Sequence, residues 1–129
     1  MNDLAKYRLE RAKEDLEHAM KDFNARELRA ANNRAYYSIF HSMRSILALE
    51  GKDFKKHSAV IAHFNQNYIK TKIFPPNMHT LIKNASEIRN ASDYDDFYIA
   101  SVEETQEQIE SAKLIYDLVE KYINSQEQE

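Results

Sequence analysis

The sequence predicts an all-α protein, an antiparallel bundle of four to five helices, and three observations predict it. One glycine and two prolines in 129 residues leave too little turn punctuation for a β-sandwich or barrel. Apolar residues recur at helical spacing through most of the chain, the mark of helices with one buried face. A 43% apolar share, with six phenylalanines and eight tyrosines, suffices for one core. The expectation is a single domain over residues 1–124 and a polar tail at 125–129.

The first helix is expected from Asp3 to Asp22, with Leu4, Leu9, Ala12, Leu16, Ala19 and Phe23 on its apolar face. Asn24 stands three residues before Glu27, a capping-box spacing, and Gly51 suits the left-handed position past a helix end. The second helix then spans Ala25 to Glu50, about 39 Å at the usual rise, and forms the spine. A basic loop, 51–56, leads to a third helix from Ser58 to Ile69 that buries Val60, Ile61, Phe64 and Tyr68. Pro75-Pro76 opens a fourth helix reaching Asn90. Ser101 and Glu104 form a further capping box. The last helix runs to Asn124 with Val102, Ile109, Ala112, Ile115 or Tyr116, Val119 and Ile123 inward, and the long first, second and fifth helices form the walls.

Composition excludes several function classes. Without cysteine there is no disulfide framework, thiolate metal site or cysteine nucleophile, and a reducing, cytoplasmic location is expected. No apolar run reaches the roughly 18–20 residues that span a bilayer, and MNDLAKYRLERAKEDLE lacks a signal-peptide core, so neither membrane nor export is expected. No HExxH, Walker-type loop or dinucleotide fingerprint occurs, and the SDYDDF acidic cluster lacks the glycine of an EF-hand loop, so no metal or cofactor is expected. Charge is uneven. Residues 26–89 carry 11 Lys and Arg against four Asp and Glu, a net +7, while residues 90–129 carry two against 11, a net −9. Such a basic middle either attracts an anionic partner, RNA or a nucleotide, or satisfies the acidic terminal helix within the fold or across a dimer.

The second helix contains the residues that a plain bundle does not need. In NNRAYYSIFHSMRSILALE, the stripe Tyr36, Ile39, Phe40, Met43, Ile46 and Leu47 supplies the core. Arg34 and His41 are seven residues apart, about 700° of turn, so they return to within roughly 20° of each other, with Tyr37 close by. One reading of that row is a structural network in which the arginine and histidine pair with Asp93 or Asp95. The other is functional: a guanidinium forks onto phosphate while an imidazole moves a proton. Lys56 and His57, in a Lys-Lys-His-Ser run at a helix N-terminus, form a candidate phosphate contact. Arg89 ends the fourth helix in EIRNASDYDDF, where it either complements the helix dipole and the neighbouring aspartates or joins the site. Arg34, His41, His57 and Arg89 would then converge in one basic pocket. His18 and His63 fall at polar positions and are expected to be solvated.

The order AANNRAYYSIFHSMRSILALEGK, KKHSAVIAHFNQNYI, a proline-bearing connection and EIRNASDYDDF resembles the small stand-alone HEPN-domain proteins of bacteria and archaea, the UPF0332 group, over residues 3–123. The resemblance implies a HEPN helical bundle, usually a homodimer. It also implies a partnership with a minimal nucleotidyltransferase in a toxin–antitoxin pair. Active members of the wider superfamily are metal-independent endoribonucleases. Their signature is an arginine, commonly followed by a polar residue, with a histidine four to six residues further on. Arg89 and Asn90 match its start, but Tyr94, Asp95 and Asp96 occupy the positions where the histidine belongs, and neither side chain titrates like histidine near neutrality. In some HEPN toxins a tyrosine just after the motif receives AMP from the partner; Tyr94 lies in a comparable place, with Tyr98 the alternative. Two functions follow. One is a nucleotide- or RNA-binding and partner-docking module, with Arg34, Tyr37, His41, Lys56, His57 and Arg89 as binding candidates. The other is a metal-independent endoribonuclease toxin with a non-standard site built from Arg34, His41 and Arg89.

Overall fold

A computed structural model describes residues 2–127. Its elements are α1 (Asp3–Asn24), α2 (Leu28–Leu49), α3 (His57–Phe64), a π-helical turn (Asn65–Ile69), α4 (Met78–Tyr94) and α5 (Val102–Glu127). Helix α2 is the hub, packing against α1, α5, α4 and α3. Its expected core stripe is buried in full: Tyr36, Ile39, Phe40, Met43, Ile46 and Leu47 are each at most 5% exposed.

Close approach of α1 to α2 rests on small residues. Ala5, Ala12 and Ala19 face inward with no exposed surface, and the Ser38 hydroxyl donates to the Ala12 carbonyl at 2.8 Å. Ser42 and Ser45 bond back to carbonyls of their own helix, so none of these buried hydroxyls is left unpaired. Inward-facing polar side chains of α1 are therefore held directly against α2, and this is what builds the site described below.

The helix ends explain where the boundaries depart from expectation. The capping box at Asn24 is not used. Helix α1 continues through Asn24 and closes with a Schellman pattern, in which Arg26 N–H donates to Phe23 and Glu27 N–H to Asp22. Arg26 takes the left-handed position, φ 62°, that glycine usually fills, and α2 starts at Leu28. The same pattern closes α2, with Gly51 at φ 70° as expected. The third helix is interrupted: past Phe64 the backbone widens into the π-helical turn, which buries the consecutive residues Tyr68 and Ile69. Ile61 is only half-buried. Helix α4 starts two residues past Pro76 and runs to Tyr94 rather than Asn90.

Ser101 caps α5, its hydroxyl accepting from Glu104 N–H at 3.0 Å. The reciprocal half of that box is absent, because the Glu104 carboxylate takes the Tyr98 hydroxyl instead. Ala112, Ile115, Tyr116, Val119 and Ile123 are buried as expected, while Val102 and Ile109 are half-buried. Helix α5 continues to Glu127, so residues 125–127 of the expected tail are helical and exposed. Residues 128 and 129 of that tail lie outside the described residues. Leu4, expected in the core, is 50% exposed because Ala5 takes the inward position. Among the described residues no helix is long and apolar enough to cross a membrane.

Candidate functional site

A cleft of about 360 Å³ opens beside the α1–α2 seam, lined by Arg11 and Asp15 of α1, Asn33, Arg34, Tyr37, Phe40, His41 and Arg44 of α2, and His57 at the start of α3. The polar row of α2 faces this space, and the arrangement brings Arg34, Tyr37, His41 and His57 together.

Asp15 lies at the bottom with its side chain 5% exposed. Its Oδ1 is 3.4 Å from Arg34 Nη1 and its Oδ2 is 3.7 Å from His41 Nε2. The carboxylate partner of the row is therefore Asp15, and the pairing expected with Asp93 or Asp95 does not form. Burial pushes the Asp15 carboxyl above its usual range, against the pull of Arg34 and Arg11. Arg34 itself keeps 45% of its side chain in solvent.

His41 is 13% exposed, and its buried Nδ1 has no hydrogen-bond partner among the described residues. Burial, reinforced by Arg11, Arg44 and Arg8, lowers its pKa to about 4, so the imidazole is neutral at neutral pH. His57 is fixed by Tyr36, whose hydroxyl lies 2.9 Å from Nδ1, and by Phe40, whose ring centroid is 4.1 Å from its own. Its pKa is also lowered, by burial and then by Arg89 and Arg44. With both imidazoles held toward neutrality, the standing positive charge of the cleft comes from Arg11, Arg34 and Arg44.

Arg89 lies behind this cleft. Its Nη2 donates to the Tyr37 hydroxyl at 2.8 Å, its Nε is 3.0 Å from the Asp93 carboxylate, and its guanidinium lies over the rings of Tyr36, Tyr37 and Tyr94. It touches the cleft through Tyr37 without lining it, so the four-residue convergence forms in three of its members. Lys56 is an exposed N-cap residue of α3 that makes no side-chain capping bond. His63 is not solvated as expected: its Nε2 is 2.9 Å from Glu50, whose other oxygen accepts from the Tyr68 hydroxyl.

Tyr94 ends α4 and is 73% exposed, and it leads into a loop where Phe97 is 94% and Ile99 88% exposed. Tyr98, the alternative, is tied to Glu104, and burial followed by that carboxylate raises its hydroxyl pKa to about 12. Arg29, which carries no motif in the sequence, holds the loop by donating to the carbonyls of Ser92, Asp95 and Tyr98. Among the described residues no group of three His, Asp or Glu side chains is placed to hold a metal ion.

The HEPN domain model matches residues 5–122. A UPF0332 protein of Thermotoga maritima is 30% identical over 93% of this chain and 91% of its own length. A protein of Methanocaldococcus jannaschii, named as a candidate toxin, is 27% identical over 91% of this chain and 80% of its own. The crystal structure of an archaeal HEPN homologue superposes with a TM-score of 0.74 at 18% identity, covering 95% of this chain and 99% of that one.

Proposed function

The chain belongs to the HEPN-domain family, and from that premise we propose that it is the HEPN component of a toxin–antitoxin pair with a minimal nucleotidyltransferase, its α1–α2 cleft binding the phosphates of RNA or of a nucleotide. The observation that carries this reading is the convergence of Arg11 and Arg34 on one open cleft over the carboxylate of Asp15, with Arg44 in its wall held by Asp53. The guanidiniums of Arg11 and Arg34 favour phosphate oxygens, which they can meet with paired N–H donors. The toxin role is supported by the similarity to the M. jannaschii candidate toxin. Tyr94, Phe97 and Ile99, the most exposed large apolar residues among the described residues, supply the surface on which the bundle meets its partner or a second copy. Tyr94 is then the residue the partner modifies, since its hydroxyl is open while that of Tyr98 is engaged.

Fluorescence anisotropy with a labelled single-stranded RNA, repeated across salt concentrations, tests the binding. Arg34→Ala and Arg11→Ala should each weaken it and flatten its salt dependence. Affinity and slope unchanged in both variants overturn the reading. Intact mass after incubation with ATP and the nucleotidyltransferase should show one added AMP, absent in Tyr94→Phe.

A second reading, a metal-independent endoribonuclease, is favoured by one observation: His41 approaches Asp15 through Nε2 while its Nδ1 is unpartnered among the described residues. A neutral imidazole that carries its hydrogen on the buried Nδ1 can accept a 2′-hydroxyl proton at Nε2 while that oxygen attacks phosphorus and the 5′-oxygen leaves with a proton from solvent, and the guanidiniums can stabilise the charge that builds on the phosphate oxygens. Cleavage of total RNA by the purified protein, abolished in His41→Ala, would establish it. Intact RNA at high protein concentration leaves the binding module.

A further inference from the structure

A second concavity adjoins the cationic cleft. It measures about 510 Å³ and is lined by Phe40, Arg44, Asp53, Phe54, Lys55 and His57. Phe40, Arg44 and His57 line both spaces, so the two are halves of one groove divided by a shared wall. The halves differ in chemistry. The first is dominated by guanidinium; the second is bordered by the partly exposed Phe54 ring and the His57 imidazole, with Phe40, 5% exposed, packed behind His57 and Arg44.

The second half is also built in place. The Asp53 carboxylate accepts from Arg44 at 3.0 Å and from Arg8 at 2.8 Å. Its other oxygen accepts the Phe54 backbone N–H at 2.9 Å. Arg8, on the inward face of α1 with a side chain 7% exposed, also donates to the Arg44 carbonyl. One buried cation and one carboxylate thus fix the loop that carries Phe54 and the helix turn that carries Arg44. Phe54 stays 37% exposed over the opening, and Arg44 lies over the Phe40 ring. Flat aromatic and guanidinium surfaces at an open pocket suit an unstacked nucleobase.

We propose that Phe54 and His57, backed by the buried Phe40, form a nucleobase subsite, so that the groove binds one nucleoside 5′-phosphate unit with its base here and its phosphate at Arg11 and Arg34. The ligand is a free nucleotide or an unpaired residue of RNA. The inference rests on the phosphate-binding reading of the first half and extends it to the second.

Calorimetric titration of the full-length protein with AMP, ribose 5-phosphate and inorganic phosphate, and with a short single-stranded RNA, tests it. Phe54→Ala should weaken AMP about tenfold and leave ribose 5-phosphate and inorganic phosphate unchanged, with Phe54→Trp restoring AMP affinity. Arg34→Ala should weaken all of them. RNA losing affinity in Phe54→Ala with AMP not bound at all identifies the source as RNA; the reverse identifies a free nucleotide. Phosphate and AMP both binding with no effect of Phe54→Ala overturns the base subsite alone. Absence of binding by every probe overturns the phosphate reading with it. Phe54 lies outside the core, so an unchanged melting temperature in Phe54→Ala separates lost binding from lost fold.

Discussion

Arg34 and Arg89 both lie close to Tyr37, and they face opposite situations. Arg89 is enclosed by partners: Nη2 donates to the Tyr37 hydroxyl, Nε is 3.0 Å from the Asp93 carboxylate, and three tyrosine rings lie against its guanidinium, leaving 16% of the side chain exposed. Arg34 has one long ion pair, at 3.4 Å, and 45% exposure. A guanidinium that is already enclosed fixes the positions of its neighbours, whereas one with donors in solvent can meet an incoming anion. On the proposed reading, Arg89, which matches the start of the signature, acts as a positioning residue, and the cleft around Arg34 is where ligand charge is met.

The largest effect expected from that contrast is a pH dependence. His41 titrates at about 4 in the fold against about 6.5 unfolded, so between these values the unfolded chain binds more protons. Its contribution to stability is fully present above pH 6.5 and is lost as pH falls through 4, about 3 kcal/mol in all. Asp15 works in the opposite sense. Its raised carboxyl contributes stability at low pH that is lost as pH rises through its folded value. Denaturant unfolding from pH 7 to pH 4 should show a loss that shrinks clearly in His41→Gln; equal pH slopes in the two proteins would break the claim that His41 is buried neutral.

Arg89→Ala comes next. It removes a charged hydrogen bond, an ion pair and three ring contacts from a mostly buried place, and should cost about 2 kcal/mol. Affinity for phosphate ligands should be little changed at temperatures where the variant is folded. A variant of wild-type stability that has lost ligand affinity would move Arg89 from the frame into the site.

Much of this is legible in the chain. The α2 core stripe and the polar row beside it follow from seven-residue spacing, which a continuous helix preserves. Asp15 escapes a reading that follows only the apolar residues of the first helix. Leu9, Ala12, Leu16 and Ala19 are buried as expected, but the seam against α2 also takes in Ala5, Arg8 and Asp15, so that Ala5, Arg8, Ala12, Asp15 and Ala19, all buried, alternate three and four residues apart. Its signal in the sequence is three alanines seven apart with a cation and a carboxylate in the gaps. That row contains both the floor of the cleft and Arg8, the anchor of the Asp53 loop. The Asn24 box misleads for a local reason: a Schellman end with a non-glycine in the left-handed position leaves no residue-type mark. His63 looks solvated from its own helix, and Glu50, its partner at the end of α2, is visible only once the two helices are placed side by side.

The smallest expected effect sharpens the contrast most. Arg34 is too exposed for its pair with Asp15 to contribute more than about 1 kcal/mol, so Arg34→Ala alone should lower stability by that much or less. The loss comes from leaving Asp15 a buried carboxylate with less compensation, and it should vanish in an Asp15→Asn background, where no charge needs compensating. Asp15→Asn by itself should be close to neutral or slightly stabilising above the carboxylate range, because burial already raises the cost of ionising that group. A double-mutant cycle measured by urea unfolding at pH 7 reads the coupling directly. Coupling of several kcal/mol would mean that Arg34 is held as firmly by Asp15 as Arg89 is by its own partners, and the cleft would then have lost the cation it offers to a ligand.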